Sequence, residues 1–326
     1  MRLPLHHARP RGATLAALGL AAAAALALAT PAQATFPGRD GRLLFSVATD
    51  QGVQIQTVRP DGRDRRQITD VAGEAVHPDW SPDGRRIVFE FDTEAGANIA
   101  LVGAEGGPVV VLPTPPDRFE GQPSFTSGGR RILFSQFDGT HESVWSMRLD
   151  GSDRRRISAG PGDATDPNGS PDGRSVSFVG VPNGQWEIEQ ALFTTRLDGS
   201  RLRQLTPFDF EVAIKHDWAP DGHRLVFTTN ADFVFPGASA NLATIRPDGS
   251  RVRFLTQFTG GEVNAFAGSY SPDGRRIAFR YEDHGRYGLY TMRTDGSRVR
   301  PVLPLSEDRP RYIDWGPAQS REGRPR

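Results

Sequence analysis

The chain has 326 residues, with 39 basic side chains, 39 acidic side chains and no Cys. This balance gives no concentrated basic face for nucleic acid, and the absence of Cys excludes disulfides and a lipid-modified N-terminal Cys. The first charged residues are Arg2, Arg9 and Arg11, and a mostly Ala apolar run over residues 13–29 follows them.

The N-terminal pattern predicts a secretory signal peptide over residues 1–34, with small residues at the cleavage positions Ala32 and Ala34. An uncleaved anchor is the alternative, although the run is marginal for spanning a bilayer. Cleavage would remove three Arg and no acidic residue, leaving a slightly acidic chain. We therefore expect a secreted protein, periplasmic or extracellular, without stable membrane insertion after cleavage.

One unit of about 45 residues recurs six times after this segment, between Asp40 and Pro317. Its clearest copies are SPDGRRIVF (81–89), SPDGRSVSF (170–178) and SPDGRRIAF (271–279), and each copy precedes a second turn such as LDGS (149–152). Paired turn signals separated by alternating apolar residues are typical of four-stranded propeller blades. The sequence thus predicts an all-β, six-bladed β-propeller of antiparallel blades.

Each blade divides into four predicted strands, A to D. Strand A ends in an aromatic residue, as in HPDW (77–80), and Pro-Asp-Gly turns the chain into strand B. Strand B alternates apolar and polar residues, strand C ends at an Asp-Gly pair that predicts a two-residue hairpin turn, and strand D closes the blade.

The ring is predicted to close through its C-terminus. The first unit begins at strand B, whereas the last ends with YIDWGP (312–317), which has the strand A pattern. We expect residues 311–315 to supply the inner strand of the blade formed by residues 41–69, which removes an open sheet edge. One propeller domain over residues 35–317 and a disordered polar tail over residues 318–326 complete the predicted organisation.

The paired P-D-G and D-G-S turns, with W-S-P-D-G-R-R-I at 80–87 and a following L-T, resemble the TolB-type six-bladed propeller repeat. The resemblance covers residues 40–317 and implies the fold more specifically than the function. It implies a periplasmic protein-binding component. In TolB an α/β domain precedes the propeller, and we expect no such domain in this chain because the repeats use nearly all residues after the predicted signal peptide. Similar repeats form peptidase gating propellers and oligogalacturonate lyases, and fold analogy does not choose among these.

Two long loops indicate one candidate binding surface. The spacing between the A–B and C–D glycines is four or five residues longer in blades four and five than in blade two, which places insertions at 179–190 and 230–240. With the neighbouring loop 207–212, these insertions bring several aromatic residues to one rim, where they either bind a partner or cap the loops. The predicted binding residues are Trp186, Phe208, Phe210, Phe233 and Phe235.

The mouth of the central channel is the second candidate site. Inner-strand residues converge on the axis of a propeller, and the positions before the strand-end aromatics carry His77, Lys215, Asp217 and Tyr312. These side chains are predicted to contact a ligand, although the Asp residues of this column are expected mainly to bond the following turn. The Arg pairs of the outer strands, such as Arg298 and Arg300, are interpreted as protection of the blade edges.

No catalytic, metal or cofactor motif is recognisable. There is no G-x-S-x-G elbow, no H-x-H or H-E-x-x-H spacing and no phosphate loop. The sequence therefore predicts a monomeric, non-catalytic binding module of the cell envelope or extracellular space, with a protein or glycan partner. A polysaccharide lyase with its site at the channel mouth, using His77, Lys215 or Tyr312, is the alternative, and a purely structural envelope protein is the third class.

Overall fold

The computed structural model describes residues 37–158, 162–182, 190–213, 215–230, 237 and 239–319. These residues form six four-stranded antiparallel sheets and, as their one helical element, a single turn of 3-10 helix at Phe208–Phe210. The predicted all-β, six-bladed propeller is confirmed.

Blade 1 consists of β24 (Arg311–Pro317), β1 (Asp40–Thr49), β2 (Gly52–Val58) and β3 (Arg66–Gln67). Blade 2 consists of β4 (Glu74–Trp80), β5 (Arg86–Thr93), β6 (Gly96–Gly103) and β7 (Val110–Val111). Blade 3 consists of β8 (Phe119–Phe125), β9 (Arg131–Phe137), β10 (Glu142–Arg148) and β11 (Arg155–Arg156).

Blade 4 consists of β12 (Gly162–Gly169), β13 (Ser175–Pro182), β14 (Ala191–Arg196) and β15 (Arg203–Gln204). Blade 5 consists of β16 (Asp217–Trp218), β17 (Leu225–Thr229), β18 (Asn241–Ile245) and β19 (Arg253–Phe254). Blade 6 consists of β20 (Val263–Tyr270), β21 (Arg276–Asp283), β22 (Arg286–Arg293) and β23 (Arg300–Ser306). The first strand of each blade contacts the first strands of both neighbouring blades, so these six strands surround the axis.

The C-terminal strand closes the ring as predicted. β24 pairs antiparallel with β1, with Trp315 opposite Leu43 and Asp314 opposite Leu44. Trp315 is 2% exposed and lies in the apolar cluster between blades 6 and 1. Beyond the strand, the N–H of Ala318 donates to the carbonyl of Arg39 at 2.8 Å. The two ends of the propeller chain are therefore joined by main-chain bonds and by core packing.

The core consists of six apolar clusters, one between each pair of neighbouring blades. Every cluster contains one Phe from the same position of strand B, and each of these side chains is at most 1% exposed. Truncating a buried Phe to Ala costs about 3–5 kcal/mol. The six equivalent residues are Phe45, Phe89, Phe134, Phe178, Phe227 and Phe279.

The C–D turns differ from the predicted two-residue hairpin. In blade 3 the N–H of Gly151 donates to the carbonyl of Arg148 at 2.9 Å, and the N–H of Arg148 donates to the carbonyl of Ser152 at 2.8 Å. Gly151 has φ +82°, whereas Asp150 is not among the residues with positive φ. A primed two-residue turn needs positive φ at both central residues, so this connection is a longer turn that ends on a left-handed Gly. The side chain of Asp150 stabilises it by accepting from the N–H of Ser152 at 3.0 Å.

Candidate functional site

Inner strands carry an irregularity at the channel. The pairing of each inner strand with its neighbour shifts register within the strand, as a β-bulge does, in β4, β8, β12, β20 and β24. Five blades place a non-Gly residue there with φ between 47° and 81°. Such a conformation costs about 1–3 kcal/mol for each residue and is concentrated at functional sites. These residues are His77, Gln122, Asp166, Lys215 and Tyr312.

The left-handed residues contact one another around the axis. The rings of His77 and Tyr312 lie 3.6 Å apart between centroids. The N–H of Gln122 donates to Glu90 Oε2 at 2.8 Å, and the same oxygen lies 2.8 Å from His77 Nδ1. The N–H of Lys215 donates to Asp166 Oδ2 at 2.7 Å. The structure therefore brings the predicted residues His77, Lys215 and Tyr312 together in one polar ring.

The Asp column of the inner strands joins neighbouring blades. Asp217 Oδ2 accepts from the N–H of Tyr270 at 2.8 Å, across the boundary between blades 5 and 6. Asp314 accepts from the N–H of Trp80 in blade 2, and Asp79 accepts from the N–H of Phe125 in blade 3, both at 2.8 Å. We expected these carboxylates to bond their own following turn. They bond the next blade because an inner strand is paired on one side only, which leaves its buried N–H groups in need of an acceptor.

Lys215 is a buried cation among carboxylates. The residue is 9% exposed. Burial opposes its charge, but Asp314, Asp79, Asp166 and Asp217 together raise the pKa of Lys215 above its usual value. Burial, followed by the charge of Asp314, raises the pKa of Asp79 well above its usual range. A lysine held protonated in this way is a positive anchor and not a proton acceptor, which weakens the lyase alternative.

A Ser–His–Asp constellation lies beside Lys215. Ser177 Oγ is 2.7 Å from His216 Nε2, and His216 Nδ1 is 3.0 Å from Asp166 Oδ2. This order of contacts is that of a nucleophilic triad, but Ser177 and His216 have no exposed surface. A substrate carbonyl has no access to Ser177, so the three groups form a structural network. Sequence reasoning missed it because no short motif links a residue of β13 with the residue before β16.

A cavity of about 430 Å³ opens above this ring, on the rim that carries the B–C and D–A loops. Its cationic side chains are Lys215, Arg280, Arg309 and Arg311. The cavity is further lined by Gln190, Ala213, Asn230, Phe266, Ala267, Tyr312 and Ile313. The mouth thus combines positive charge, two aromatic rings and amide groups, which suits a carboxylate-bearing ligand with an apolar part.

Arg280 contacts both an aromatic ring and a carboxylate. Its guanidinium carbon lies 4.0 Å from the centroid of Phe266, and its Nε is 2.7 Å from Glu282 Oε1 without the angle of a hydrogen bond. Arg309 Nη2 donates to the same carboxylate oxygen at 3.1 Å. Burial lowers the pKa of Arg280 to about 10, so it remains charged at neutral pH. One carboxylate therefore pairs with two arginines, and the described residues that line the cavity include four cations and no acid.

The predicted aromatic sector is only partly described. Phe208 packs on Phe193, with ring centroids 6.0 Å apart, and Phe210 packs on Phe227 at 6.5 Å. Both rings are partly buried against blade cores, which favours a loop-capping role for these two. Trp186, Phe233 and Phe235 lie outside the described residues, so their contribution to a binding rim stays a prediction.

Within the described residues, no group of three or more His, Cys, Asp or Glu is arranged to hold a metal ion. In the same part of the chain, no helix is long and apolar enough to cross a membrane. The predicted signal peptide over residues 1–34 lies outside the described residues.

Comparisons with known proteins agree with the repeat. No family model matches the chain. It is 29% identical over 280 residues to the Tol-Pal system protein TolB of Bordetella pertussis, covering 85% of this chain and 60% of that protein. It is 27% identical over 207 residues to the uncharacterized protein Atu1656 of Agrobacterium fabrum, covering 61% of this chain and 67% of that one. The chain thus spans less than two thirds of the length of the TolB relative.

Solved structures give the same fold. TolB from Acinetobacter baumannii superposes with a TM-score of 0.70 and 20% identity, covering 86% of this chain and 68% of that one. The putative TolB from Agrobacterium tumefaciens superposes with a TM-score of 0.65 and 16% identity, covering 85% and 99%. The chain is a TolB-like six-bladed β-propeller.

Proposed function

We propose that this protein is a secreted, non-catalytic binding module of the cell envelope that holds a protein partner at the channel mouth. The TolB-like propeller and the Tol-Pal system names of its relatives support an envelope role. The signal-peptide pattern of residues 1–34 supports secretion. The chain acts as a monomer and needs no cofactor in this proposal.

The cationic cavity is the observation that carries the proposal. Lys215 and Arg280 are buried cations beside it, and Arg309 and Arg311 extend the positive charge to the rim. Lys215 already lies among the Asp residues of the inner strands, and Arg280 and Arg309 share the single carboxylate of Glu282. A carboxylate from outside would pair with Arg311 and with the charge that Glu282 leaves uncompensated. The partner segment is therefore acidic, with an apolar or aromatic residue that packs on Phe266 and Tyr312.

The strained ring beneath the cavity supports a recognition role. Each of the five left-handed residues costs conformational free energy. Four of them have His, Lys, Asp or Tyr side chains, which can bond a ligand. His77 Nε2 is buried without a hydrogen-bond partner among the described residues. A donor or acceptor of the bound segment would satisfy this nitrogen.

Capture from the native envelope followed by measurement with purified components tests the proposal. The protein with Arg311→Glu should lose the captured partner, with affinity lowered about tenfold or more, because a charge-assisted contact is replaced by repulsion. Arg286→Glu is the matched control: Arg286 is exposed, is the first residue of β22 next to the B–C turn of the same rim, and does not line the cavity. Equal affinity of the two variants would show that the partner binds elsewhere.

The loop rim is tested in the same assay. Trp186→Ala combined with Phe233→Ala should weaken partner binding by more than about 2 kcal/mol if these loops take part, as hot-spot aromatics do. If the loops only cap the blades, the double variant loses stability and the folded fraction binds normally. The lyase alternative is tested in parallel by assaying polyuronide cleavage with His77→Ala and Tyr312→Phe.

A further inference from the structure

A second left-handed position recurs on the opposite rim, just after each C–D turn. Five blades place a non-Gly residue there with φ between 52° and 57°. Blades 1 and 3 have Asp at this position, whereas blades 4, 5 and 6 have Arg. The equivalent residues are Asp64, Asp153, Arg201, Arg251 and Arg298.

In blade 3 the carboxylate of Asp153 is surrounded by arginines. Arg131 Nη1 donates to it at 2.6 Å, Arg155 Nε donates at 3.0 Å, and Arg148 Nε lies at 3.6 Å. The hydrogen bonds from Arg131 and Arg155 lower the pKa of Asp153. Strands B, C and D of this blade therefore present a three-arginine cradle that binds one oxyanion of the chain itself.

Blade 1 repeats this cradle. Asp64 accepts from Arg42 at 2.9 Å and from Arg66 at 2.8 Å, and Arg59 Nε lies at 3.6 Å. Side-chain hydrogen bonds from Arg66 and Arg42 lower the pKa of Asp64 to about 2. Two blades thus show independently that arginines at these three strand positions bind a carboxylate.

Blade 6 has the cradle without the carboxylate. Arg276, Arg293 and Arg300 stand at the positions of Arg131, Arg148 and Arg155, but Arg298 replaces the acid. A cavity of about 310 Å³ lies between these side chains, lined also by Asp273, Arg275 and Thr291.

Few acids compensate for these arginines. Arg276 Nη2 donates to Asp40 at 2.5 Å, and Arg275 Nε lies 4.0 Å from Asp273. Among the residues that the structure describes, Arg293, Arg298 and Arg300 have no ion-pair partner. The charge at the position of Arg298 differs by two from that in blade 3, because an acid is replaced by a base.

We propose that the blade 6 groove binds a doubly charged phosphate group from outside the protein, in the place that Asp153 occupies in blade 3. Arginine N–H groups match the oxygens of a phosphate in geometry and charge. Because blade 6 has Arg298 where blade 3 has Asp153, its groove is more positive by two charges, and a phosphate dianion would compensate for both. The site lies on the rim formed by the A–B and C–D turns (the turn rim), away from the channel mouth. It does not depend on the proposed partner.

The other Arg-bearing blades fit less well. Blade 4 has Ser175 in place of the strand B arginine, so its cradle lacks one donor. Blade 5 has His223 in place of Arg275, and its Arg253 Nη2 donates to the carbonyl of Asp295 at 3.0 Å. Blade 5 keeps the cradle arginines Arg224, Arg246 and Arg253, so blade 6 exceeds it by one arginine, Arg275.

Titration with inorganic phosphate, followed by calorimetry and by thermal unfolding, tests the site. The wild-type protein should bind phosphate and unfold at higher temperature in its presence than in chloride of equal ionic strength, because a ligand of the native state stabilises it. Arg298→Asp rebuilds the blade 3 arrangement and should weaken phosphate binding roughly tenfold or more. Arg201→Asp is the control, since it makes the same charge change at the same backbone position of blade 4.

Vesicles distinguish the source of the phosphate group. Phosphatidylcholine vesicles with and without phosphatidic acid are sedimented with the wild type and both variants. Binding that needs phosphatidic acid and is lost with Arg298→Asp would assign the group to a lipid headgroup, whereas a response to inorganic phosphate alone would assign it to a soluble ligand. No response to either probe, or equal losses with Arg298→Asp and Arg201→Asp, would overturn the proposal.

Discussion

The two rims of this ring are built from the same strands but follow different rules. On the turn rim, each blade repeats short connections whose Asp residues bond the backbone two residues ahead. The hydrogen bonds from Ser152, Ser200, Ser250 and Ser297 lower the pKa of the preceding turn Asp in four blades. On the opposite rim, formed by the B–C and D–A loops (the loop rim), burial raises the pKa of Asp92 to about 7 and also raises the pKa of Glu142. These turn Asp residues are stabilised as anions, whereas Asp92 and Glu142 carry their charge at a cost. The loop rim also has a stabilised anion, because the N–H groups of His141 and Thr140 lower the pKa of Asp138.

The two rims also differ in how closely they follow the repeat. The turn rim is repeated because every blade needs the same hairpins, and its acids are stable as anions. Left-handed non-Gly residues recur in five blades on both rims, so they do not distinguish the two. The channel mouth differs from the turn rim by its buried lysine and by the group of arginines that lines its cavity.

The largest expected effect comes from breaking the ring that holds both rims. Deleting residues 311–326 removes β24, the packing of Trp315 and the hydrogen bond that the N–H of Trp80 donates to Asp314. We expect a loss of at least about 5 kcal/mol, since a buried Trp alone contributes about 3–5 kcal/mol. Thermal unfolding should show the whole propeller destabilised and not only blade 1. Deleting residues 320–326, which are free of apolar side chains, is the control; equal melting temperatures for the two truncations would contradict closure.

The second effect tests the charge balance of the channel. Lys215→Met leaves Asp79, Asp166, Asp217 and Asp314 buried without their shared cation. Breaking a buried ionic group by removing one partner costs about 3–5 kcal/mol. The loss should be smaller at pH 5 than at pH 8, because carboxylates without a cation take up protons as the pH falls. Urea unfolding at both pH values measures it, and a loss independent of pH would mean that Lys215 acts only by packing.

The blades were predictable from sequence, whereas most of the site was not. Gly84 and Gly151 mark turns that depend on a few adjacent residues, and the Phe at a fixed position of strand B marks the core, so local patterns suffice. The same spacing placed His77, Lys215 and Tyr312 near the axis. The cationic lining of the cavity was missed because its arginines come from separate elements and meet Lys215 only after the ring closes. Arg280 lies inside β21, Arg309 lies in the loop before β24, and Arg311 is the first residue of β24.

Hydrogen bonds between blades also could not be predicted from the sequence. The acceptor role of Asp217 depends on the N–H of Tyr270 in another blade, and the contact of Ser177 with His216 crosses from blade 4 to blade 5. No short motif records such pairs. Their partners are fixed by the packing of neighbouring blades.

A third prediction concerns the buried Ser177–His216–Asp166 network. Ser177→Ala removes the partner of His216 Nε2 in a site without exposed surface, and should cost about 1–3 kcal/mol. Partner binding at the channel mouth should not change, because Ser177 does not line the cavity. Urea unfolding and the binding assay together check both statements. A variant of unchanged stability would contradict the structural role assigned here.

The smallest effect compares the two rims through pH. Burial, followed by the charge of Glu90, raises the pKa of Asp92 from 3.8 to about 7. The native state therefore holds a proton that the unfolded chain releases, and the stability from this group is complete below about pH 4 and lost as the pH rises towards 7. Asp92→Asn keeps the shape without the charge. It should raise stability at pH 8 by about 1 kcal/mol, after allowance for solvent screening of a half-buried group, and change little at pH 4.

Asp83 on the turn rim gives the opposite sign. Burial opposes its charge, but hydrogen bonds from Ser81 and the N–H of Arg85 lower the pKa of Asp83. The stability that Asp83 contributes is complete above the pKa of this carboxyl in the unfolded chain, and it is lost as the pH falls through the lower native pKa. Asp83→Asn should therefore reduce stability at pH 8. Urea unfolding of both variants across pH 4–8 measures the two slopes. Slopes of the same sign would contradict the contrast between Asp92 on the loop rim and Asp83 on the turn rim.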